Sequence, residues 1–101
     1  MSSHLVYRQF SEAEFEKIEM YSKAIAKVHG KHHPELNQVH NLFVSTKNKT
    51  ETSVGEIPNL EDDFDLLHQV TNGYQVPADG CETYQITYNL LQQAEKAYSK
   101  C

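Results

Sequence analysis

The stretch Val28-His29-Gly30-Lys31-His32-His33-Pro34-Glu35 joins two segments whose apolar residues recur with helical spacing, and it decides how the chain folds. Glycine is favoured just past the last turn of a helix and proline in the first turn of one. Gly30 therefore predicts the end of a first helix and Pro34 the start of a second. The stretch also holds three of the six histidines of the chain. Because imidazole is the commonest protein metal ligand, the same residues raise the question of a metal site.

The rest of the sequence predicts two further helices. Ser11 is the expected cap of the first helix, and the second is expected to fray in the polar stretch 45–53, with a loop through Gly55. Asn59 predicts the cap of a third helix, and the box Asp79-Gly80-Cys81-Glu82 the start of a fourth. Apolar spacing predicts one buried face for each helix. The first helix is expected to bury Phe15, Ile18, Ser22, Ile25, Val28 and His29, and the second Leu36, Val39, His40 and Phe43. The third is expected to bury Leu60, Phe64, Leu67 and Thr71, and the fourth Tyr84, Tyr88, Leu91, Ala94 and Tyr98.

Helices joined by short connections pack best side by side in alternating directions. We therefore predict an all-α fold, an antiparallel up-down four-helix bundle in which residues 1–101 form a single domain. The net charge of -5 and the lack of a Lys/Arg-rich run exclude nucleic acid as a partner. No apolar run is long enough for a membrane span, and the first residues lack the pattern of a signal peptide, so the expected location is the cytoplasm.

The candidate metal ligands are histidines. His29 continues the apolar face of the first helix and is expected to point inward, where a buried imidazole needs a metal, a carboxylate or a hydroxyl as its partner. His40 lies beside the buried face of the second helix. His32 and His33 fit either a metal site or a solvated helix junction. The predicted metal site therefore comprises His29, His32, His33 and His40, with iron or zinc as the candidate metal.

Other chemistry finds little support in the sequence. Interior di-iron centres in helical bundles use histidine and glutamate at i, i+3 or i+4, and no HxxxE or ExxH pattern occurs in the chain. Phosphate-binding loops and the GxSxG and HExxH motifs are also missing, so no catalytic residues are predicted. Cys81 and Cys101 are expected to be free thiols, with Cys81 as a small residue at a helix start rather than a nucleophile.

Two parts of the chain resemble a known family, in the same order and over about half of the sequence. The first is the stretch 28–36, followed by Val39 and Leu42-Phe43. The second comprises Leu66-Leu67, Val70-Thr71-Asn72-Gly73-Tyr74, Val76-Pro77-Ala78-Asp79-Gly80-Cys81-Glu82-Thr83-Tyr84 and Tyr88. Both resemble motifs of the RIC proteins, the hemerythrin-like di-iron proteins of iron–sulfur cluster repair. The resemblance implies a hemerythrin-like four-helix bundle, in agreement with the periodicity.

The resemblance also implies a set of iron ligands, of which the chain retains His29. A ligand of the first helix would fall near Tyr7 or Arg8, and neither is a histidine. The stretch 53–57 lacks the implied HxxxE pair, Glu56 is not followed by the implied histidine, and the chain ends before the implied final HxxxE motif. We therefore expect a shortened relative with a degenerate metal site.

This comparison leads to two functional hypotheses. The first is a non-catalytic accessory or protein-interaction domain linked to iron–sulfur cluster repair or the stress response. It would bind a protein partner or a second copy of itself, through the tyrosine row of the fourth helix or an exposed apolar stripe. The alternative is a metal-binding protein of iron handling that uses His29 with the nearby histidines.

Overall fold

The computed structural model describes residues 3–53 and 58–99, with side chains from Leu5 onward. These residues form α1 (Ser3–His29), α2 (Glu35–Thr52), α3 (Glu61–Val70) and α4 (Glu82–Ser99), which confirms the predicted all-α, four-helix fold. The 27 residues of α1, at about 1.5 Å each, make a rod that runs the whole 41 Å length of the molecule. None of the described helices is both long and apolar enough to cross a membrane.

The contacts between helices give their order in the bundle. The hydroxyls of Tyr7, near the start of α1, and Thr50, near the end of α2, are 2.9 Å apart. Further along, Ser22 of α1 pairs with His40 of α2. The ring of Tyr7 also contacts Tyr98, at the end of α4, with the centroids 5.7 Å apart. Contacts that join the start of one helix to the end of another are those of antiparallel neighbours. The backbone of α1 packs closely on α2 and α4, and α3 packs on α2.

The first helix begins eight residues before the predicted cap, so that prediction was wrong. Ser11 does not cap a helix: its hydroxyl donates to the carbonyl of Arg8 inside α1, at 2.9 Å. The earlier start has a physical reason, because Tyr7 is completely buried and adds a core contact two turns before Phe15. The apolar face continues through Ile25 as predicted, but Val28 is 72% exposed because it points away from the bundle.

The predicted fraying of α2 was also wrong, since the helix continues to Thr52. Thr46 and Thr50 are buried, and each hydroxyl donates to the carbonyl four residues earlier, at 3.0 and 2.9 Å. Because these hydroxyls are satisfied within the helix, threonine can enter the core, and burial overrides its weak helix propensity. The predicted loop through Gly55 lies in the stretch 54–57, outside the described residues.

The connection between α3 and α4 contains three consecutive residues with left-handed backbone conformation: Asn72 (φ 54°), Gly73 (φ 74°) and Tyr74 (φ 63°). This conformation is unfavourable for a tyrosine. Two hydrogen bonds hold Tyr74 in place: its amide donates to the hydroxyl of Thr71 at 2.9 Å, and its own hydroxyl donates to Glu95 at 2.7 Å. Tyr74 therefore belongs to a tight turn and not to the extended connection predicted from the sequence.

Candidate functional site

His29 lies at the end of α1, beside the first turn of α4. Its Nε2 atom is 3.3 Å from the Sγ atom of Cys81, and its ring packs against Tyr84 with the centroids 5.3 Å apart. The imidazole is half-buried and does not reach the bundle interior, while Cys81 is exposed and free. Imidazole and thiol are both ligands for zinc and iron. The contact thus joins two metal-ligating groups at one end of the bundle.

Sequence reasoning missed this pairing, because it gave Cys81 only a role at the helix start. The signal was present in the predicted topology. In an up-down bundle the end of the first helix lies at the same level as the start of the fourth. That placement already brings the last residue of α1 close to the residue before α4.

His33 ties the α1–α2 junction to the loop before α4. Its Nε2 atom lies 3.0 and 3.1 Å from the two carboxylate oxygens of Asp79, and its Nδ1 atom lies 3.5 Å from Glu35. The hydrogen bond from His33 lowers the pKa of Asp79. Asp79 was predicted to cap α4 from the box 79–82, but the helix begins only at Glu82, the last residue of that box, and the Asp79 carboxylate faces His33 instead.

A polar cavity of about 290 Å³ opens at the same end of the bundle. Its lining includes His33, Glu35, Tyr84 and Tyr88 and part of the turn after α3. The Tyr84 hydroxyl is buried beside Tyr88, whose ring centroid is 4.9 Å away, and makes no hydrogen bond of standard geometry with the described residues. Burial raises the pKa of both tyrosines, so they remain protonated donors. Their burial makes Tyr84 and Tyr88 part of the core, so these two members of the tyrosine row are not free to form a dimer interface.

Neither of the remaining two predicted ligands joins the His29–Cys81 pair in a group of three metal-ligating residues within the described chain. His32 is exposed on the junction. The Nδ1 atom of His40 is 2.7 Å from the hydroxyl of Ser22. Ser22 precedes His29 by two helical turns, about 10 Å along α1, so the structure does not bring His40 to His29. The assignment of a metal to the four histidines stays a prediction.

His40 gives the protein a predictable pH dependence. Burial lowers the pKa of His40 below its usual 6.5, an effect that nearby Glu19 opposes and Lys23 reinforces. The folded state therefore binds fewer protons than the unfolded chain once the pH falls below 6.5, and stability decreases in that direction. We expect the free energy of unfolding, measured by urea denaturation, to fall when the pH is lowered from 7.5 to 5.5. The fall should be larger for the wild type than for His40→Gln. The exposed His32→Gln serves as the control, and an unchanged pH dependence in His40→Gln would contradict the assignment.

The opposite end of the interior is filled by what we call the aromatic cluster: Tyr7, Phe15, Phe43, Phe64 and Tyr98. The ring of Tyr7 lies edge-on to Phe15 at 5.9 Å and to Phe64 at 6.5 Å, and Phe15 lies edge-on to Phe43 at 5.0 Å. Edge-on contacts of this kind stabilise aromatic cores beyond the effect of burial alone. This cluster therefore forms a closely packed apolar interior around the start of α1.

The resemblance implies an iron ligand near Tyr7, and the described interior does not fit a di-iron centre. Apart from tyrosines, its buried polar side chains are hydroxyls, those of Ser22, Thr46, Thr50, Thr71 and Thr87. Every one of these hydroxyls donates to a backbone carbonyl three or four residues earlier. Di-iron centres in bundles require imidazoles and carboxylates. Within residues 3–53 and 58–99, no group of three or more His, Cys, Asp and Glu residues is placed to hold a metal ion.

Comparison with known proteins identifies relatives over most of the chain. The iron–sulfur cluster repair protein ScdA of Staphylococcus haemolyticus is 24% identical over 121 aligned residues, which cover 89% of this chain and 54% of the relative. The ScdA proteins of two Staphylococcus epidermidis strains are 26% identical with the same coverage. No family model matches the chain, and no solved structure matches it.

The fold and the His29 junction define a small helical-bundle protein. The chain is similar, at 24–26% identity, to the iron–sulfur cluster repair proteins ScdA, which agrees with the resemblance of its motifs to those of the RIC proteins. The chain spans about half the length of these curated relatives. Because the 121 aligned positions exceed the 101 residues of the chain, the relatives also hold residues inside the aligned region that have no counterpart here.

Proposed function

We propose that this protein is a non-catalytic accessory domain that serves iron–sulfur cluster repair in the cytoplasm by binding another protein. The similarity to the ScdA proteins supports the link to repair. Tyr7 is the observation that carries the non-catalytic role. It lies where the resemblance implies an iron ligand of the first helix, yet its ring is buried in the aromatic cluster and its hydroxyl is bonded to Thr50.

A repair assay tests this proposal. An iron–sulfur enzyme with an oxidatively damaged cluster is incubated anaerobically with iron and with this protein, with full-length ScdA, or with both. We expect no recovery of enzyme activity with this protein alone and a changed rate of recovery when it is added to ScdA, relative to an equal amount of serum albumin. Recovery with this protein alone would contradict the non-catalytic role. An unchanged rate, together with no binding to ScdA or to the damaged enzyme, would contradict the accessory role.

A second copy of the chain is one candidate partner. Val28 and Met20 on α1 are 72% and 60% exposed and leave apolar surface outside the bundle. Sedimentation equilibrium over a range of concentrations measures the association directly. A strictly monomeric protein would leave only other proteins as partners.

Metal binding is a second candidate function, and the contact between His29 Nε2 and Cys81 Sγ favours it. In this case His29 and Cys81 supply two ligands, and further ligands come from solvent or from another chain, since no third described His, Cys, Asp or Glu is placed to join them. The thiol would be bound as thiolate, so binding would release a proton and weaken at low pH.

Metal analysis after anaerobic reconstitution tests this alternative. It predicts about one equivalent of iron or zinc per chain, lost in His29→Ala and retained in His32→Ala, because His32 is exposed on the junction and Cys81 pairs with His29. A metal-dependent increase in the melting temperature, present in the wild type and lost in His29→Ala, provides a second readout. A metal-free wild type would exclude the alternative.

A further inference from the structure

A groove runs between α3 and α4 on the surface of the bundle, with a volume of about 400 Å³. We call it the α3–α4 groove; its lining residues are Glu61, Phe64, Asp65, Glu95, Tyr98 and Ser99. It forms because α3 lies close to α2, whereas the backbones of α3 and α4 are further apart and these two helices contact each other mainly through side chains. Phe64 and Tyr98 bridge the gap with their centroids 5.2 Å apart, and they form the aromatic floor of the groove.

This floor is held rigidly from below. The hydroxyl of Tyr98 accepts a hydrogen bond from the amide of Leu60 at 2.8 Å, and the ring of Tyr98 rests against the buried Tyr7. Phe64 is itself only 3% exposed. A binding surface whose side chains are already fixed loses little entropy when a ligand is bound.

The rim of the groove is acidic. Glu61 and Asp65 of α3 are exposed, and no described Lys, Arg or His residue forms an ion pair with either of them. Their neighbour Asp63 differs, because Lys49 neutralises it at 3.0 Å on the side facing α2. The third rim carboxylate, Glu95, accepts hydrogen bonds from Tyr74 and His68. The rim thus presents negative charge around an apolar floor, on a chain whose net charge is -5.

We propose that the α3–α4 groove binds a basic amphipathic segment of a partner protein. One apolar side chain of the segment lies on Phe64 and Tyr98, and flanking Lys or Arg residues face Glu61 and Asp65. The chemistry of the groove determines which partner it fits. An apolar side chain complements the aromatic floor, and cationic groups complement the acidic rim and the aromatic faces. The groove is open along two helices, which suits a peptide segment better than an enclosed small molecule. The inference rests on the proposed interaction role, since it places the partner-binding surface of that role.

Peptide binding followed by NMR tests the inference. The probe is a short synthetic peptide whose leucines recur at helical spacing between lysines, and its counterpart with glutamate in place of lysine is the negative probe. We expect the lysine peptide to shift the amide signals of Phe64, Asp65 and Tyr98 in the isotope-labelled protein. We also expect its affinity to fall as salt is added, and the glutamate peptide to leave these signals unchanged.

A matched pair of variants separates groove binding from general attraction to an acidic protein. Asp65→Lys removes rim charge, while Asp62→Lys makes the same change one turn away on the exposed side of α3, outside the groove lining. We expect Asp65→Lys to lower the affinity for the lysine peptide by about tenfold. Asp62→Lys should lower that affinity by clearly less. Both residues are exposed, so far-UV circular dichroism and thermal unfolding should show a retained fold.

Three results would overturn the inference. Equal weakening by the two variants would mean attraction without a specific site. Peptide-induced shifts confined to other residues would place the site elsewhere. Concentration-dependent shifts of Phe64 and Tyr98 in the protein alone would assign the groove to a second copy. The repair assay is independent of these results, since recovery of enzyme activity by the protein alone would contradict the proposed function while leaving peptide binding in the groove intact.

Discussion

Replacing Phe15 with alanine is expected to lower the free energy of unfolding by about 3–5 kcal/mol. The side chain is 2% exposed and contacts three other rings, those of Tyr7, Phe10 and Phe43. Removing it leaves a cavity at the centre of the aromatic cluster, between helices that cannot collapse to fill it. A domain of this size has only about 5–15 kcal/mol of stability, so the variant should unfold at a much lower urea concentration.

Phe10→Ala is the matched control for this prediction. Phe10 is only partly buried and packs on the edge of the core, where solvent and neighbouring side chains can occupy the space it leaves. Urea denaturation of the two variants should therefore give a clearly smaller loss for Phe10→Ala. Equal losses would mean that the aromatic cluster is not packed as described.

Replacing Gly30 with alanine is expected to destabilise the protein by about 1–3 kcal/mol. A Cβ atom at this position would lie 2.2 Å from the carbonyl oxygen of Ala26, a backbone atom that cannot turn aside as a flexible side chain can. The same carbonyl accepts the hydrogen bond from the amide of Gly30 that closes the last turn of α1. The variant must therefore distort the junction that positions His29.

The sign of this effect makes the test informative. In a helix, alanine is normally more favourable than glycine by about 0.5–1 kcal/mol, so propensity alone predicts stabilisation. Thermal unfolding of Gly30→Ala should instead show a lower melting temperature. The exposed neighbour Lys31 supplies the control, since Lys31→Ala should change stability by no more than about 0.5 kcal/mol. A melting temperature at or above that of the wild type would contradict the described close contact.

The helical periodicity predicted the fold because burial depends on spacing, and spacing can be read directly. Leu60, Phe64, Leu67 and Thr71 were predicted as one row, and all four are buried. The errors arose where tertiary contacts outweigh local preference. The polar end of α2 reads as a fraying segment, yet Thr50 is buried because Tyr7, 43 positions away in sequence, bonds to its hydroxyl. A preference calculated over neighbouring residues cannot include such a partner.

The candidate site was predicted less completely than the fold. The apolar stripe of α1 indicated His29 as a site residue. The spacing of apolar residues does not show, however, that the last turn of α1 lies at the end of the bundle, where the interior is no longer covered. His29 is therefore half-buried beside Cys81 instead of pointing into the interior. The bond between His33 and Asp79 depends on a loop conformation that has no sequence period. The α3–α4 groove has no signal at all in the sequence, since it depends on how far apart two helices pack.

The position of Tyr7 has a consequence for how this chain could change over evolutionary time. A histidine introduced there would place an imidazole among the rings of Phe15, Phe64 and Tyr98, next to the hydroxyl of Thr50. Such a substitution would lose the edge-on aromatic contacts of Tyr7 and place a more polar ring in the core, so we expect it to reduce stability. The packing around Tyr7 therefore opposes any single substitution toward a metal ligand at this position, because the gain of one imidazole comes with the loss of core contacts.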